Sequence, residues 1–186
     1  MMGDSSTETI LVVDDEETLA DLFTAYLAPE YDVRTATSGE EALGKADDEV
    51  DVILLDRRMP QMSGDEVLDE LVKREIGAMV GMLSGVDADV DIVELPFDDY
   101  LLKPATKSEV TKFVETLHHR SEMDECRQQY FALESKKNAL EQAGRYYTEE
   151  YTKLLDRMTE IQNQIDGASL SVGDHFPDVS QDGPQI

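Results

Sequence analysis

The chain has 186 residues, enough for one domain of ordinary size with a smaller appendage. Its 42 Asp and Glu residues outnumber its 16 Lys and Arg residues, which gives a formal net charge of −26. This balance disfavours a DNA-binding surface, which needs a basic patch. Repulsion among the spread-out acidic side chains should oppose folding at low salt, so we expect a halophile with a salt-rich cytoplasm as the source.

Nothing in the sequence indicates a membrane segment. It contains neither an apolar run of membrane length nor a basic-apolar signal peptide, so we expect a cytoplasmic protein without membrane contact. Cys126 is the only cysteine, which excludes an internal disulfide. Residues 167–186 are rich in Gly, Pro, Asp and Ser without periodicity, and we predict that they form a disordered tail.

Five apolar stretches alternate with amphipathic stretches between residues 8 and 120. The apolar stretches predict buried strands at residues 9–13, 32–36, 52–56, 78–83 and 99–102. Their alternation with helices predicts a doubly wound, five-stranded parallel sheet of the α/β class. The segment that should form the fourth helix, residues 86–98, is a poor helix because it is short, acidic and broken by Pro96. The fifth helix begins with capping-box spacing from Thr106 to Glu109.

Polar side chains stand at the ends of four predicted strands. Asp14 and Asp15 follow the first strand, Asp56 ends the third, Ser84 follows the fourth, and Lys103 follows the fifth. Taken alone, Asp56 could equally cap its strand. Because the carboxyl ends of parallel strands share one edge, however, these groups should converge on one crevice. The set suits a phosphoryl group on Asp56, with Mg²⁺ on the neighbouring carboxylates.

This arrangement resembles the receiver domain of two-component response regulators. The resemblance covers residues 8–120 and rests on the following residues, in this order: Asp14-Asp15, Asp56, Met59-Pro60, Gly64, Ser84, Tyr100 and Lys103-Pro104. It implies that Asp56 accepts a phosphoryl group from a histidine kinase. It also implies a phosphoacceptor capable of self-dephosphorylation, not an enzyme acting on a separate substrate.

The resemblance further implies a Mg²⁺ site. Asp15, Asp56 and the backbone carbonyl of Arg58 would hold the ion, and Asp14 would contact it through water. One departure from the family lies next to this site, where Arg57 and Arg58 place two cations beside the expected phosphoryl group.

Signalling residues are implied in the same way. Ser84 and Tyr100 match the hydroxyl and aromatic switch positions, and the Lys103–Pro104 bond is expected to be cis. In the family, the fourth helix and the fifth strand build the signalling face. The poor helix predicted at residues 86–98 therefore puts that face in doubt here.

A seven-residue repeat marks residues 121–166. Its two series are Met123, Tyr130, Lys137, Gly144, Tyr151, Met158 and Ile165, and Cys126, Leu133, Leu140, Tyr147, Leu154 and Ile161. Three interpretations remain open: a continuous helix pairing as a coiled coil in a homodimer, a hairpin turning near Gly144 to Tyr147 with Thr148 as a cap, or a helix folded back on the receiver. The segment resembles the HalX domain of haloarchaeal receiver proteins, notably at residues 134–140 and 150–154.

The repeat lies about one residue, or ~100°, out of phase with the apolar face of the fifth helix. One straight helix could not direct both faces at the sheet. We therefore expect the repeat to pack on itself or on another chain and to bury apolar area that the receiver does not cover.

The favoured function is a response regulator that signals to an unidentified output protein through residues 121–166. The alternative is a transcriptional regulator whose helical segment contacts DNA or the transcription machinery. Residues 121–186 hold 13 acidic and 6 basic side chains and lack a helix-turn-helix pattern, which disfavours DNA binding.

A hydrolase with an Asp nucleophile would need a second Asp where Arg58 stands. Adjacent His118 and His119 point about 100° apart, which indicates surface residues, not metal ligands.

Overall fold

A computed structural model of the chain describes residues 7–85 and 88–172, with side chains described as far as residue 168. Its five parallel strands form one sheet in the order β2-β1-β3-β4-β5, as predicted for a doubly wound fold. The strands are β1 (Thr9–Val13), β2 (Asp32–Ala36), β3 (Val52–Asp56), β4 (Met79–Ser84) and β5 (Asp99–Leu102). Strand β3 lies between β1 and β4, which places Asp56 in the middle of the sheet.

Six α-helices accompany the sheet in the part of the chain that is described. They are α1 (Glu17–Leu27), α2 (Gly39–Lys45), α3 (Gly64–Lys73), α4 (Lys107–Ser121), α5 (Glu125–Gln142) and α6 (Glu149–Val172). Between β4 and β5 the chain forms only a short 3-10 helix, Val90–Glu94, which Asp89 caps and Pro96 follows. The weak fourth helix predicted from the sequence is thus reduced to five residues, and residues 86 and 87 of that segment lie outside the described chain.

Alternation along the buried strands divides the core into two layers. Ile10 and Val12 of β1 face α1 and α4, whereas Leu11 and Val13 face the side that carries α2 and α3. Strands β1, β3 and β4 are buried along their whole length, as expected for strands covered on both faces.

The HalX-like segment is a hairpin of α5 and α6, so the continuous coiled-coil helix is wrong and the hairpin interpretation is correct. Its turn contains Gly144 at a φ of 71°, a left-handed conformation that favours glycine. Thr148 caps the second helix, since its hydroxyl accepts a hydrogen bond from the Tyr151 N–H at 3.1 Å. Helix α6 continues to Val172, so residues 167–172 of the predicted disordered tail are helical, and residues 173–186 lie outside the described chain.

The hairpin's apolar stripe packs on itself, because α5 and α6 contact each other, but the expectation that the receiver would leave the stripe uncovered is wrong. Leu133 and Leu140 of α5 join the same core layer as Phe97 and Ile92 of the receiver. The reason lies between α4 and α5, where the helix breaks after Ser121 and restarts at a new N-cap, Asp124. Because α4 and α5 are separate helices and not one straight helix, the stripe of α5 can face the receiver.

No helix among residues 7–85 and 88–172 combines the length and the apolar character needed to cross a membrane.

Candidate site at the carboxyl edge of the sheet

The predicted polar groups do meet at one edge of the sheet. Asp14 follows β1 directly, Asp56 and Ser84 are the last residues of β3 and β4, and Lys103 follows β5. The ammonium group of Lys103 lies 2.5 Å from a carboxylate oxygen of Asp14 and 2.7 Å from one of Asp56. Lys103 therefore bridges two carboxylates that stand at the ends of the neighbouring strands β1 and β3.

The charged groups of this cluster are removed from water. Asp14 and Ser84 are fully buried, and Asp56 is only 5% exposed. Carboxylates removed from water need compensating charge or hydrogen bonds. Lys103 supplies one full positive charge to two carboxylates, which leaves the cluster with an excess of negative charge.

The pKa directions follow from this geometry. Burial raises the pKa of the Asp56 carboxyl above its ordinary value, the neighbouring Asp14 and Asp15 raise it further, and Lys103 opposes the rise. Burial alone would lower the pKa of Lys103, but its hydrogen bonds to Asp14 and Asp56 outweigh that effect and raise it. Lys103 thus stays charged, and the surroundings of Asp56 disfavour its charged form despite the contact with Lys103.

Three carboxylates are placed to bind a metal ion. Asp14, Asp15 and Asp56 each offer an oxygen within 4.8 Å of the other two. Asp15 is exposed, which gives the group an opening to solvent. Oxygen donors with a net negative charge are the ligands that Mg²⁺ and Ca²⁺ prefer. Among the described residues, no other group of three His, Cys, Asp or Glu side chains has this spacing.

Gly64 allows α3 to begin directly behind the site. A Cβ atom at this position would lie 2.3 Å from the backbone oxygen of Asp56, a distance that no side chain tolerates. The Gly64 N–H donates to the carbonyl of Arg57 at 2.9 Å, which closes the turn after β3. A reciprocal capping box between Ser63 and Glu66 then fixes the start of the helix.

The comparison with known families decides the class of this site. Residues 10–115 match the family model of the response regulator receiver domain, which is more than half of the chain. The chain belongs to the receiver domain family. Residues 119–179 match the HalX domain, so the receiver is followed by a HalX domain.

Relatives of known name match part of this chain. A Haloferax volcanii protein, provisionally named a transcriptional regulator, is 49% identical over 138 residues, covering 74% of this chain and 24% of that protein. The alkaline phosphatase synthesis transcriptional regulatory protein PhoP of Bacillus subtilis is 42% identical over 119 residues, covering 61% of this chain and 50% of PhoP. The chain therefore spans about a quarter of the first relative and half of the second.

Solved receivers show the same fold. A CheY-like receiver domain protein from Methanospirillum hungatei superposes with a TM-score of 0.59 at 27% identity, covering 63% of this chain and 98% of that protein. The response regulator TrrA from Thermotoga maritima, solved in complex with Mg²⁺-BeF, superposes with a TM-score of 0.54 at 34% identity, covering 59% of this chain and 98% of TrrA.

The two arginines after Asp56 have different surroundings. The receiver buries Arg57, whose guanidinium is held by Asp65 of α3 at 3.1 Å and by Asp91 of the 3-10 helix at 2.5 Å. Arg57 is thus paired with two carboxylates outside the Asp14, Asp15 and Asp56 group, which its position in the sequence had not indicated. Arg58 is exposed in the turn after β3. Sequence reasoning missed the Arg57 pairs because their partners lie 8 and 34 residues away.

Three further predictions concern Tyr100, the Lys103–Pro104 bond and the two histidines. Tyr100 lies in β5, half-buried, with its ring 5.8 Å from that of Phe97. The Lys103–Pro104 bond is cis, as the family resemblance implied. His118 contacts Glu8 and His119 lies near Glu122, which is consistent with surface roles.

Proposed function

We propose that this chain is a phosphoacceptor response regulator in which Asp56 receives a phosphoryl group from the phosphohistidine of a histidine kinase. The observation that carries the proposal is the contact of Lys103 with Asp14 and Asp56 at the carboxyl edge of the sheet. An Asp56 oxygen would form the new P–O bond as the P–N bond to histidine breaks. The match to the receiver family supports the same chemistry.

The surrounding side chains have complementary tasks in this proposal. Lys103 would bind one phosphoryl oxygen and Ser84 another, because both stand at strand ends beside Asp56. Tyr100 would respond as the aromatic switch residue. Asp14, Asp15, Asp56 and the Arg58 carbonyl would hold Mg²⁺, which when bound neutralises charge on the phosphoryl oxygens. The mutual spacing of the three carboxylates fits such an ion.

Mass spectrometry of the whole chain tests the phosphoacceptor. Incubation with acetyl phosphate and Mg²⁺ should add one phosphoryl group, about 80 Da, through formation of an acyl phosphate. Asp56→Asn should prevent this addition, while Asp48→Asn, an exposed change of the same charge, should not. Persistent labelling of Asp56→Asn would refute the assignment.

Metal dependence is tested separately. Chelation of divalent ions should stop labelling, because the clustered carboxylates need a cation beyond Lys103. Asp15→Ala should impair labelling more strongly than Glu17→Ala, since Asp15 belongs to the carboxylate group and Glu17 opens α1. Equal impairment by both substitutions would show that the metal site is misplaced.

For the output, we propose protein–protein interaction through the HalX hairpin. The alternative, contact with DNA or the transcription machinery, gains support from relatives named as transcriptional regulators. Retention of the full chain on DNA in concentrated salt, phosphorylated or not, would favour this alternative. The homodimer through residues 121–166 stays a prediction, and light scattering of the full chain at several concentrations tests it.

A further inference from the structure

A cavity of about 340 Å³ lies between the receiver and the HalX hairpin. It is lined by Pro96 to Asp98 of the receiver, by the first two thirds of α5 and by the middle of α6. Because Asp98 precedes β5, the cavity stands near the amino end of that strand, away from the carboxyl edge that carries Asp56. Its volume is at the lower end of the range for small-molecule sites, so it suits a compact ligand.

Lys136 of α5 brings a buried positive charge to this cavity. The residue is only 6% exposed, and its ammonium donates to the carbonyls of Val93 and Leu95 at 3.1 and 2.5 Å. The ring of Phe97 lies 5.0 Å from the same nitrogen. An ammonium has three protons, and the two carbonyls accept two of them. A buried charge is best stabilised by an opposite charge, yet Lys136 forms no ion pair with any residue that the structure describes.

A second cation, Arg157 of α6, lines the same cavity. It too has no carboxylate at ion-pair distance in the described part of the chain. Burial, and after it the charge of Arg157, lower the pKa of Lys136 to about 8, and the carboxylates of Glu94 and Asp98 oppose this only in part. In a chain with 42 acidic and 16 basic residues, two neighbouring cations without such a partner are unexpected.

The rest of the lining is mixed. Apolar surface comes from the Phe97 ring, Leu133 and Ile161, whereas Gln128 and Gln129 add polar amide groups. A ligand carboxylate can accept hydrogen bonds from an ammonium and a guanidinium at once, and such charge-assisted bonds are strong. The apolar walls would then cover the body of the same ligand.

Two carboxylates of the chain also line the cavity and oppose the binding of an anion. Asp98 accepts a hydrogen bond from the Val80 N–H at 2.7 Å. Glu125, the first residue of α5, is exposed and accepts a hydrogen bond from the amide of Gln129 at 3.1 Å. Neither forms an ion pair with the two cations. Removal of the Glu125 charge should therefore strengthen the binding of an anion, and removal of the Arg157 charge should weaken it.

We propose that the cavity between the receiver and the HalX hairpin binds a small organic carboxylate with an apolar body, held by Lys136 and Arg157. Such a ligand contacts the receiver and both helices of the hairpin. Its binding should therefore stabilise the packed arrangement of the two domains. The site is separate from Asp56, and the inference holds or fails independently of the proposed phosphoacceptor function.

Fluorine NMR titration of the full chain in concentrated salt of constant composition tests the site. The probe is 4-fluorobenzoate, and the uncharged 4-fluorobenzamide is its control. The benzoate should bind saturably, and the benzamide should bind at least about tenfold more weakly, because it cannot replace a charge-assisted hydrogen bond.

Surface variants locate the site without disturbing the core. Arg157→Gln should weaken 4-fluorobenzoate binding about tenfold. Lys153→Gln makes the same charge change on α6 outside the cavity and should leave the affinity unchanged. Glu125→Gln should tighten binding about threefold, whereas Asp48→Asn, an exposed carboxylate of the receiver, should not.

Each outcome bears on the inference. Absence of saturable 4-fluorobenzoate binding, or equal affinities for the benzoate and the benzamide, would overturn it. Equal weakening by Arg157→Gln and Lys153→Gln would show that overall charge, and not the cavity, attracts the anion. Weaker binding in Glu125→Gln would also contradict the proposed position of the carboxylate.

Discussion

The carboxyl group of Asp98 should make the stability of this protein depend on pH. Asp98 lies just before β5, and its carboxylate accepts a hydrogen bond from the Val80 N–H at 2.7 Å. Burial raises its pKa from the ordinary value of 3.8 to about 6. That hydrogen bond and the positive charges of Arg120 and Lys136 oppose the rise without cancelling it.

The sign of the effect follows from linkage. Because the pKa of Asp98 is higher in the folded chain, the folded chain binds this proton more tightly than the unfolded chain. The resulting stabilisation is fully present below the unfolded pKa of 3.8 and is lost as the pH rises through about 6. A difference of about two pKa units corresponds to about 3 kcal/mol in the free energy of unfolding. Asp98→Asn keeps an acceptor for Val80 and removes the charge, so it should stabilise the chain by up to about 3 kcal/mol near pH 7.5.

Urea unfolding in constant concentrated salt, followed from about pH 4 to about pH 8, measures this difference. The advantage of Asp98→Asn over the unmodified chain should be small near pH 4, should grow between the unfolded pKa of 3.8 and the folded pKa of about 6, and should level off above that. Asp48→Asn, which removes one exposed charge, is the control and should show no comparable growth. An advantage that does not change with pH, or that equals the control, would refute the electrostatic reasoning.

Four further changes have defined outcomes. Raising the ionic strength from about 0.01 M to 1 M shortens the screening length from ~30 to ~3 Å and should raise the unfolding temperature, whereas a flat profile would contradict the charge argument. Gly64→Ala should sharply reduce labelling by acetyl phosphate, because the added Cβ would displace the backbone after Asp56. Gly44→Ala adds a Cβ where α2 has free space, and it should raise the free energy of unfolding in urea by about 0.5–1 kcal/mol. Leu140→Asp buries a carboxylate in the shared core and should cost at least about 3 kcal/mol of unfolding free energy; unchanged stability would contradict the packing of α5 on the receiver.

The receiver site was predictable because its signals are local. Each strand can be predicted from a run of apolar residues. In a parallel sheet the residues that follow these strands lie at the same edge. Asp14, Asp56 and Lys103 could therefore be grouped from the sequence, and the observed contacts of Lys103 agree with that grouping. Metal binding and phosphoryl transfer are inferred from the chemistry of these groups, and the labelling experiments test both.

The docking of the hairpin was not predictable in the same way. The seven-residue repeat begins only at Met123, between α4 and α5, and its phase relative to α4 excludes one straight packed helix without showing which surface the repeat covers. A local signal did exist in Asp124, whose side chain accepts from the Arg127 N–H as an N-cap. Lys136 carried no comparable signal, because lysines are rarely buried and its partners are backbone carbonyls, which any residue provides.

The two outer strands of the sheet are protected by different means. On β2, Arg34 is engaged by Asp47 and Glu49, so charged side chains discourage another strand from pairing with that edge. Strand β5 carries the largely apolar sequence Asp-Tyr-Leu-Leu and has no such charges beyond its first residue. There, Ser135 takes the outward N–H of Tyr100 and α5 covers the edge. The hairpin thus also prevents a strand of another molecule from pairing with β5. A receiver truncated after Ser121 would expose the unpaired edge of β5, and we expect it to associate with its own copies through that edge.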